Sequence, residues 1–274
     1  MKKRMAKIMS AVLVSAMAVS MMAGCGSDKK ETTGSGSSTQ STGAVDTSDV
    51  MSNEEIIKKA AGEGKVSNWG IGNQYEIQAL LAKYGLPTEY LSEDFTMDAF
   101  DDDSSTLASA MTYNELGLVK NDYDGAYGYG DTVGYIDMND EGVAMLEDMI
   151  FCTRDFAEKN PETVKAFLYA SIKDWEYAVE NPEEAAQIVY DAGSSVSQDH
   201  QKYMASEVAK LVKADMNGNE VSDIGKIDDD AMQQTLDIAK KYVTLDDSSA
   251  QDKFAKLTLD DIRDTSYYEA AESS

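Results

Sequence analysis

The sequence predicts a mixed α/β chain, with one α/β unit over residues 53–143 and a mostly helical part over 144–274. Three observations carry this reading. Residues 65–86 read as strand, glycine turn and helix, the half-unit of an α/β domain. After Met145, helix-start signals and apolar residues at 3.6-residue spacing recur to the end of the chain. Finally, 274 residues with 42% apolar and 27% charged content is ordinary globular composition, long enough to bury a sizeable core.

The first residues read as an address. Lys2, Lys3, Arg4 and Lys7 precede an apolar run from Ile8 to Met22, too short to span a bilayer comfortably, and the run ends in Met22-Ala23-Gly24-Cys25. This ending resembles the lipobox of bacterial lipoproteins. It implies a signal peptide over 1–24, cleavage before Cys25 and a diacylglycerol on the Cys25 sulfur. The protein is then expected on the outer face of the cytoplasmic membrane, lipid-anchored through Cys25. Residues 25–52 form the lipidated Cys and a Gly/Ser/Thr-rich tether with an r.m.s. reach of roughly 25–30 Å. With Cys25 acylated only Cys152 remains, so the mature chain forms no internal disulfide.

Glu54 to Ala61 suits a short helix and Val66 to Trp69 a short strand. Gly70-Ile71-Gly72 turns the chain, and Asn73 with Glu76 three residues on makes a capping-box pattern. Ile77, Leu80, Leu81 and Tyr84 then share one helical face before Gly85 and Pro87 stop the helix. Leu107 to Met111 suits helix or strand, Tyr113 to Val119 a helix start. Asp122 to Tyr135, with four tyrosines among four glycines, reads as loop and short strand. Further on, Asn160-Pro161-Glu162 and Asn181-Pro182-Glu183 are helix starts. Val164, Phe167, Leu168, Ile172 and Trp175 form one stripe, Ser197 caps another helix, and Ala231 to Val243 forms a further one.

Charge excludes whole classes of function. With 24 Lys+Arg against 50 Asp+Glu, the formal net charge is −26, the wrong sign for nucleic acid and for an anionic bilayer surface. A single histidine, His200, removes most catalytic dyads and His-based metal sites; it sits near the start of its helix and reads as structural. No enzyme motif is present, so the chain is expected not to be an enzyme, with no cofactor and no metal. Asp137, Asn139, Glu141, Gly142 and Asp148 approach a calcium-loop spacing, as do Asp215, Asn217 and Asn219, but apolar Met145 and Glu220 fall at positions the loop needs.

Two local sets could hold a small molecule. The turn Trp69-Gly70-Ile71-Gly72-Asn73, followed by Tyr75 and Glu76, points N–H groups at a helix start; it is either an anion site or an ordinary tight strand–helix turn. Tyr113, Asn114 and Glu115 join an aromatic ring, an amide and a carboxylate. They could stack on a heteroaromatic ring and hydrogen-bond its edge, or form a plain helix start.

Three stretches together resemble a known family: Trp69 to Ile77 with its helix, Ala108 to Glu115, and Ala144 to Asp148 continuing through Asn160 to Phe167 and Trp175 to Ala185. They resemble the substrate-binding proteins of bacterial ABC importers in the thiamine-pyrimidine-synthase-like group, which includes nitrate, taurine, alkanesulfonate and riboflavin binders. The resemblance covers roughly residues 64–245. It implies a type II periplasmic-binding-protein fold whose two lobes close on a small ligand and pass it to a membrane permease. Trp69, Gly70, Gly72, Asn73, Tyr75, Glu76, Tyr113, Asn114 and Glu115 would then face the cleft, and residues 144 onward would return to the first lobe. That lobe's opening strand–helix units have no counterpart here, so a shortened first lobe is expected. The apolar stripe from Val164 to Trp175 would lack its sheet, which favours self-association. The histidine donor and Cys-rich iron motif of the yeast synthase have no match. The implied ligand is a small heteroaromatic nutrient, a thiamine pyrimidine precursor first, with an alkanesulfonate, nitrate or riboflavin, or a non-binding surface role, as alternatives.

Overall fold

The computed structural model describes residues 51–70, 72–94 and 96–273; the signal peptide, the Cys25 anchor site and nearly all of the tether lie outside the described residues. The first helix, α1 (Asn53–Gly62), begins at a capping box between Ser52 and Glu55. It leads into β1 (Val66–Asn68), whose three residues are all buried. The glycine turn follows, then α2 (Gln74–Lys83). Here the structure departs from the sequence pattern. Asn73 makes no side-chain cap, and Glu76 turns away from the helix start to accept a hydrogen bond from the Met145 N–H at 2.5 Å. A long-range donor has outcompeted the local one.

Two short strands complete a parallel sheet in the order β2–β1–β3, with β2 at Leu91–Ser92 and β3 at Leu107–Ala108. Ser67 pairs with Leu91 on one side and with Ala108 on the other. The chain steps from β1 out to β2, then crosses back over β1 through α3 (Asp98–Asp101) to β3. In such an order the connections leave the central strands in opposite directions, opening a crevice at their carboxyl ends.

The main core joins α1, β1, α2 and a later helix. Ile57, Leu80 and Leu81 are fully buried, packed with Ile77, Val66, Val143 and Ile238. The apolar face read from Ile77, Leu80, Leu81 and Tyr84 is the face that packs. A smaller cluster gathers Met97, Val119 and Val133. Around it the tyrosine-rich stretch forms loop and one 3-10 turn (Gly130–Thr132), with no strand. Its tyrosines act as struts instead: the Tyr127 hydroxyl donates to Asp98 and the Tyr129 hydroxyl to Asp101, both at 2.8 Å, pinning α3.

The sequence led us to expect helix from Met145. The chain instead stays irregular from Val143 to Thr153, with Asp148 at a positive φ of 55°, and other elements claim the backbone at its start. The Leu146 N–H donates to Thr235 Oγ1 and the Ala144 carbonyl accepts from Gln234, both on a helix almost ninety residues further on. Helices then dominate: α4 (Glu115–Lys120) before this strap, and α5 (Arg154–Lys159), α6 (Pro161–Glu180), α7 (Pro182–Asp191), α8 (Gln198–Val212), α9 (Asp229–Tyr242), α10 (Ser248–Phe254), α11 (Leu259–Ile262) and α12 (Ser266–Glu272) after it. Asn160 and Asn181 start α6 and α7 but do not cap them. Each sits between two helices, and its amide turns back to the preceding one, donating to the Phe156 and Tyr177 carbonyls. The stripe on α6 is partly covered by α12: Ile172 is buried, whereas Phe167 and Trp175 remain 59% and 43% exposed. Among the described residues no helix is long and apolar enough to cross a membrane.

The calcium-like spacings serve local structure. Glu141 is buried and accepts from Lys83 at 2.5 Å, Tyr84 at 2.7 Å and Asn53 at 3.2 Å, tying its loop to α1 and α2. Burial alone would raise its carboxyl, but these donors prevail and hold it below the ordinary carboxylate range. Asp215 closes a turn by accepting the N–H groups of Asn217 and Asn219. Among the described residues no group of three or more His, Cys, Asp or Glu side chains is disposed to hold a metal ion.

Candidate functional site

A cavity of about 400 Å³ lies at the carboxyl ends of all three strands. That volume suits a small organic molecule. Trp69, Gly72 and Asn73 reach it from β1, Glu93 from β2, and Ser109, Met111, Tyr113, Asn114 and Glu115 from β3 and the loop into α4. Glu76 enters from α2, and the strap Met145–Asp148 closes the remaining side. Seven of the nine residues singled out in the sequence therefore meet in one place. The other two do not. Tyr75 packs against the main core, because it lies on a different face of α2 from Glu76. Gly70 is buried behind the turn, at a positive φ of 72° that only glycine adopts without strain.

The turn is not an open anion cradle. The Gly70 N–H is already bound to Asn68 Oδ1 and the Gly72 N–H to Gln74 Oε1, each at 2.7 Å. Of the two readings left open by the sequence, the structure matches the tight strand–helix turn, with the Gly70 and Gly72 N–H groups satisfied by neighbouring side chains and that of Asn73 by the Gly70 carbonyl.

Five carboxylates line the cavity: Glu76, Glu93, Glu115, Glu147 and Asp148. Among the described residues none of its walls is formed by Lys, Arg or His. Their surroundings differ. Burial pushes Glu76 up to about 7, against the opposing bond from Met145. Burial raises Glu93 and Glu147 as well, although Glu93 accepts from the Ser67 hydroxyl. Glu115 staples its own loop, with Oε2 accepting the Met111 N–H and Oε1 accepting from the Asn114 amide, both at 2.9 Å. Tyr113 is pushed up to about 12 by burial and by Glu147, Asp148 and Glu115, so its hydroxyl stays neutral and able to donate.

These carboxyls predict a pH dependence. A carboxyl whose pKa is higher folded than unfolded binds more protons in the folded state across the interval between the two values. Without ligand, stability should therefore fall as pH rises from about 4.5 to about 7, the interval set by Glu76. Denaturant titrations across this range check it; Glu76→Gln should flatten the slope.

Glu93, Ser109, Met111 and the strap residues escaped the sequence reading. Ser109 and Met111 fall inside the second stretch of family resemblance and Met145–Asp148 inside the third, whereas Glu93 carries no sequence signal. A groove of about 1800 Å³ lies beyond the strap and shares with the cavity the wall formed by Glu76, Met111, Tyr113 and Met145–Asp148. It is far too large for one small ligand.

Residues 57–185 match the NMT1/THI5-like family model. The matched span contains all three strands, the cavity and the strap. This family consists mostly of solute-binding proteins of ABC importers, for nitrate, sulfonates and thiamine precursors, with a synthase-like relative. The small parallel sheet and many helices fit a periplasmic-binding-protein-like fold. No curated protein matches the chain.

Proposed function

We propose that this chain is the extracytoplasmic binding component of an ABC importer for a protonatable amino-heterocycle, a thiamine pyrimidine precursor in the first instance. One observation carries the choice of ligand: a cavity at the sheet's carboxyl edge has two aromatic rings, Trp69 and Tyr113, and five carboxylates, with no cationic side chain among its described walls. An anion would meet this negative field unaided, since the N–H groups of Gly70 and Gly72 are spent on Asn68 and Gln74. An aminopyrimidine fits it chemically. Its ring stacks on aromatic faces, and its amino group and protonated ring nitrogen are adjacent donors that a carboxylate accepts bidentately. The reaction class is binding and release, with no bond made or broken.

In this reading the large groove beyond the strap is where the opening units of a complete first lobe would lie, and the strap alone covers the ligand on that side. Affinity should then be micromolar rather than nanomolar. The test is a thermal-shift and calorimetric screen of the purified protein against 4-aminopyrimidines, flavins, alkanesulfonates and nitrate. Saturating ligand raises stability by RT ln(1 + [L]/Kd), so weak binders register. Stabilisation by aminopyrimidines alone is the expected result; stabilisation by a sulfonate or nitrate alone would reject this reading. Anchoring at the membrane through Cys25 belongs to the same proposal. Cys25→Ser should move the protein out of the membrane fraction, and wild-type retention there would refute the anchor.

A further inference from the structure

We infer that His200, outside the cavity, is the positioning residue that fixes the orientation of the Glu115 carboxylate through Asn114, and so sets the site's preference for a ligand amino group. The inference rests on the ligand reading given above. His200 is fully buried near the start of α8. Its Nε2 lies 2.8 Å from Asn114 Oδ1 and its Nδ1 2.5 Å from the Tyr123 hydroxyl. Asn114 in turn places Nδ2 2.9 Å from Glu115 Oε1.

The proton arrangement follows from one end. The Glu115 carboxylate can only accept, so the amide must present its NH₂ to it. Asn114 Oδ1 then faces His200, and Nε2 must carry the hydrogen. Nδ1 is left as an acceptor, matched by the Tyr123 hydroxyl as donor. All four groups point one way, from the interior to the cavity wall. Burial lowers the His200 pKa and favours the neutral ring this arrangement needs. The Tyr203 ring lies nearly parallel to the imidazole, 6.0 Å between centroids and 17° between planes. Its hydroxyl donates to the Thr112 carbonyl at 2.7 Å, so α8 grips the same loop at a second point. Gly117 makes room for that grip: a Cβ there would sit 2.1 Å from the Tyr203 ring.

His200 is the chain's single histidine, so its nitrogens can be read without assignment. In the wild-type protein labelled with ¹⁵N-histidine, the neutral Nε2–H form is expected near pH 7, with or without ligand. The Nδ1–H form, or an imidazolium, would overturn the relay whatever the ligand proves to be. The second arm compares affinity for a 4-aminopyrimidine with that for its 4-oxo counterpart. His200→Leu should erode the preference for the amino compound by about tenfold or more. His200→Gln, whose amide can still donate to Asn114, should keep most of it. A merely structural defect would weaken both ligands alike. Equal losses for both, or full selectivity in His200→Leu, would overturn the inference. A wild-type protein with the Nε2–H form that binds neither pyrimidine would instead reject the ligand reading, and with it the selectivity assigned to His200.

Discussion

Glu147→Gln should weaken binding of a 4-aminopyrimidine by about ten- to hundredfold, the largest loss expected from a single cavity carboxylate. The reason lies in how the five acids are already engaged. Glu76 accepts from Met145, Glu93 from Ser67, and Glu115 from both Met111 and Asn114. Glu147 stands on the strap beside Tyr113 and Asp148, and it is raised by burial and by the neighbouring negative charges of Asp148 and Glu115. A cation bound there relieves that repulsion and replaces lost hydration. Removing one charged hydrogen bond typically costs about 1.5–3 kcal/mol, and about 1.4 kcal/mol is a factor of ten in Kd. Calorimetric titration of the variant against the wild type measures it. The amino group itself goes to Glu115, so Glu115→Gln should erode the preference for the amino compound, whereas Glu147→Gln lowers affinity through the lost charge; unchanged affinity in Glu147→Gln would remove Glu147 from the site. A sulfonate that bound more tightly to Glu147→Gln than the aminopyrimidine did would point to an anion site.

Leu80→Ala should destabilise the fold by about 2–5 kcal/mol, a large part of the 5–15 kcal/mol typical of a domain. Leu80 is fully buried in the cluster where α1, β1 and α2 meet Ile238 of α9. The cavity left by truncation cannot collapse easily, since its walls come from four elements, one of them more than 150 residues distant in sequence. The loss should also reach the ligand. Helix α9 holds the strap through Thr235 and Gln234, so loosening its packing on α2 frees the wall that carries Glu147. Urea denaturation monitored by Trp fluorescence gives the stability change. A loss below about 1 kcal/mol would mean that this cluster is not the core of the fold.

Much of this architecture is legible in the residues. The strand–glycine–helix unit, the buried face of Ile77, Leu80 and Leu81, and the Ser197 cap of α8, whose hydroxyl accepts the His200 N–H, all follow from neighbours within one or two turns. Such patterns record which side of an element faces inward. Seven of the nine expected site residues meet because two loops on adjacent parallel strands must open at the same sheet edge.

What the tertiary structure decided is where local rules lost to distant partners. Glu76 has the spacing of a capping-box acid, but Met145 offers an N–H that the local cap cannot match. Asn160 and Asn181 carry start signals for α6 and α7, yet the preceding helices end against them and take their amides. The strap reads as helix by composition and is irregular, its backbone bound by Thr235 and Gln234 of α9. Glu93 and Glu147 became site residues only when three strand ends and the strap were brought together. His200 looked like a helix filler until α8 was laid behind the Met111–Glu115 loop. The physical reason is common to all of these. Periodicity and capping encode contacts a few residues apart, whereas a cavity wall is assembled from segments separated by dozens of residues, and the strongest available hydrogen bond there is known only once the chain has packed.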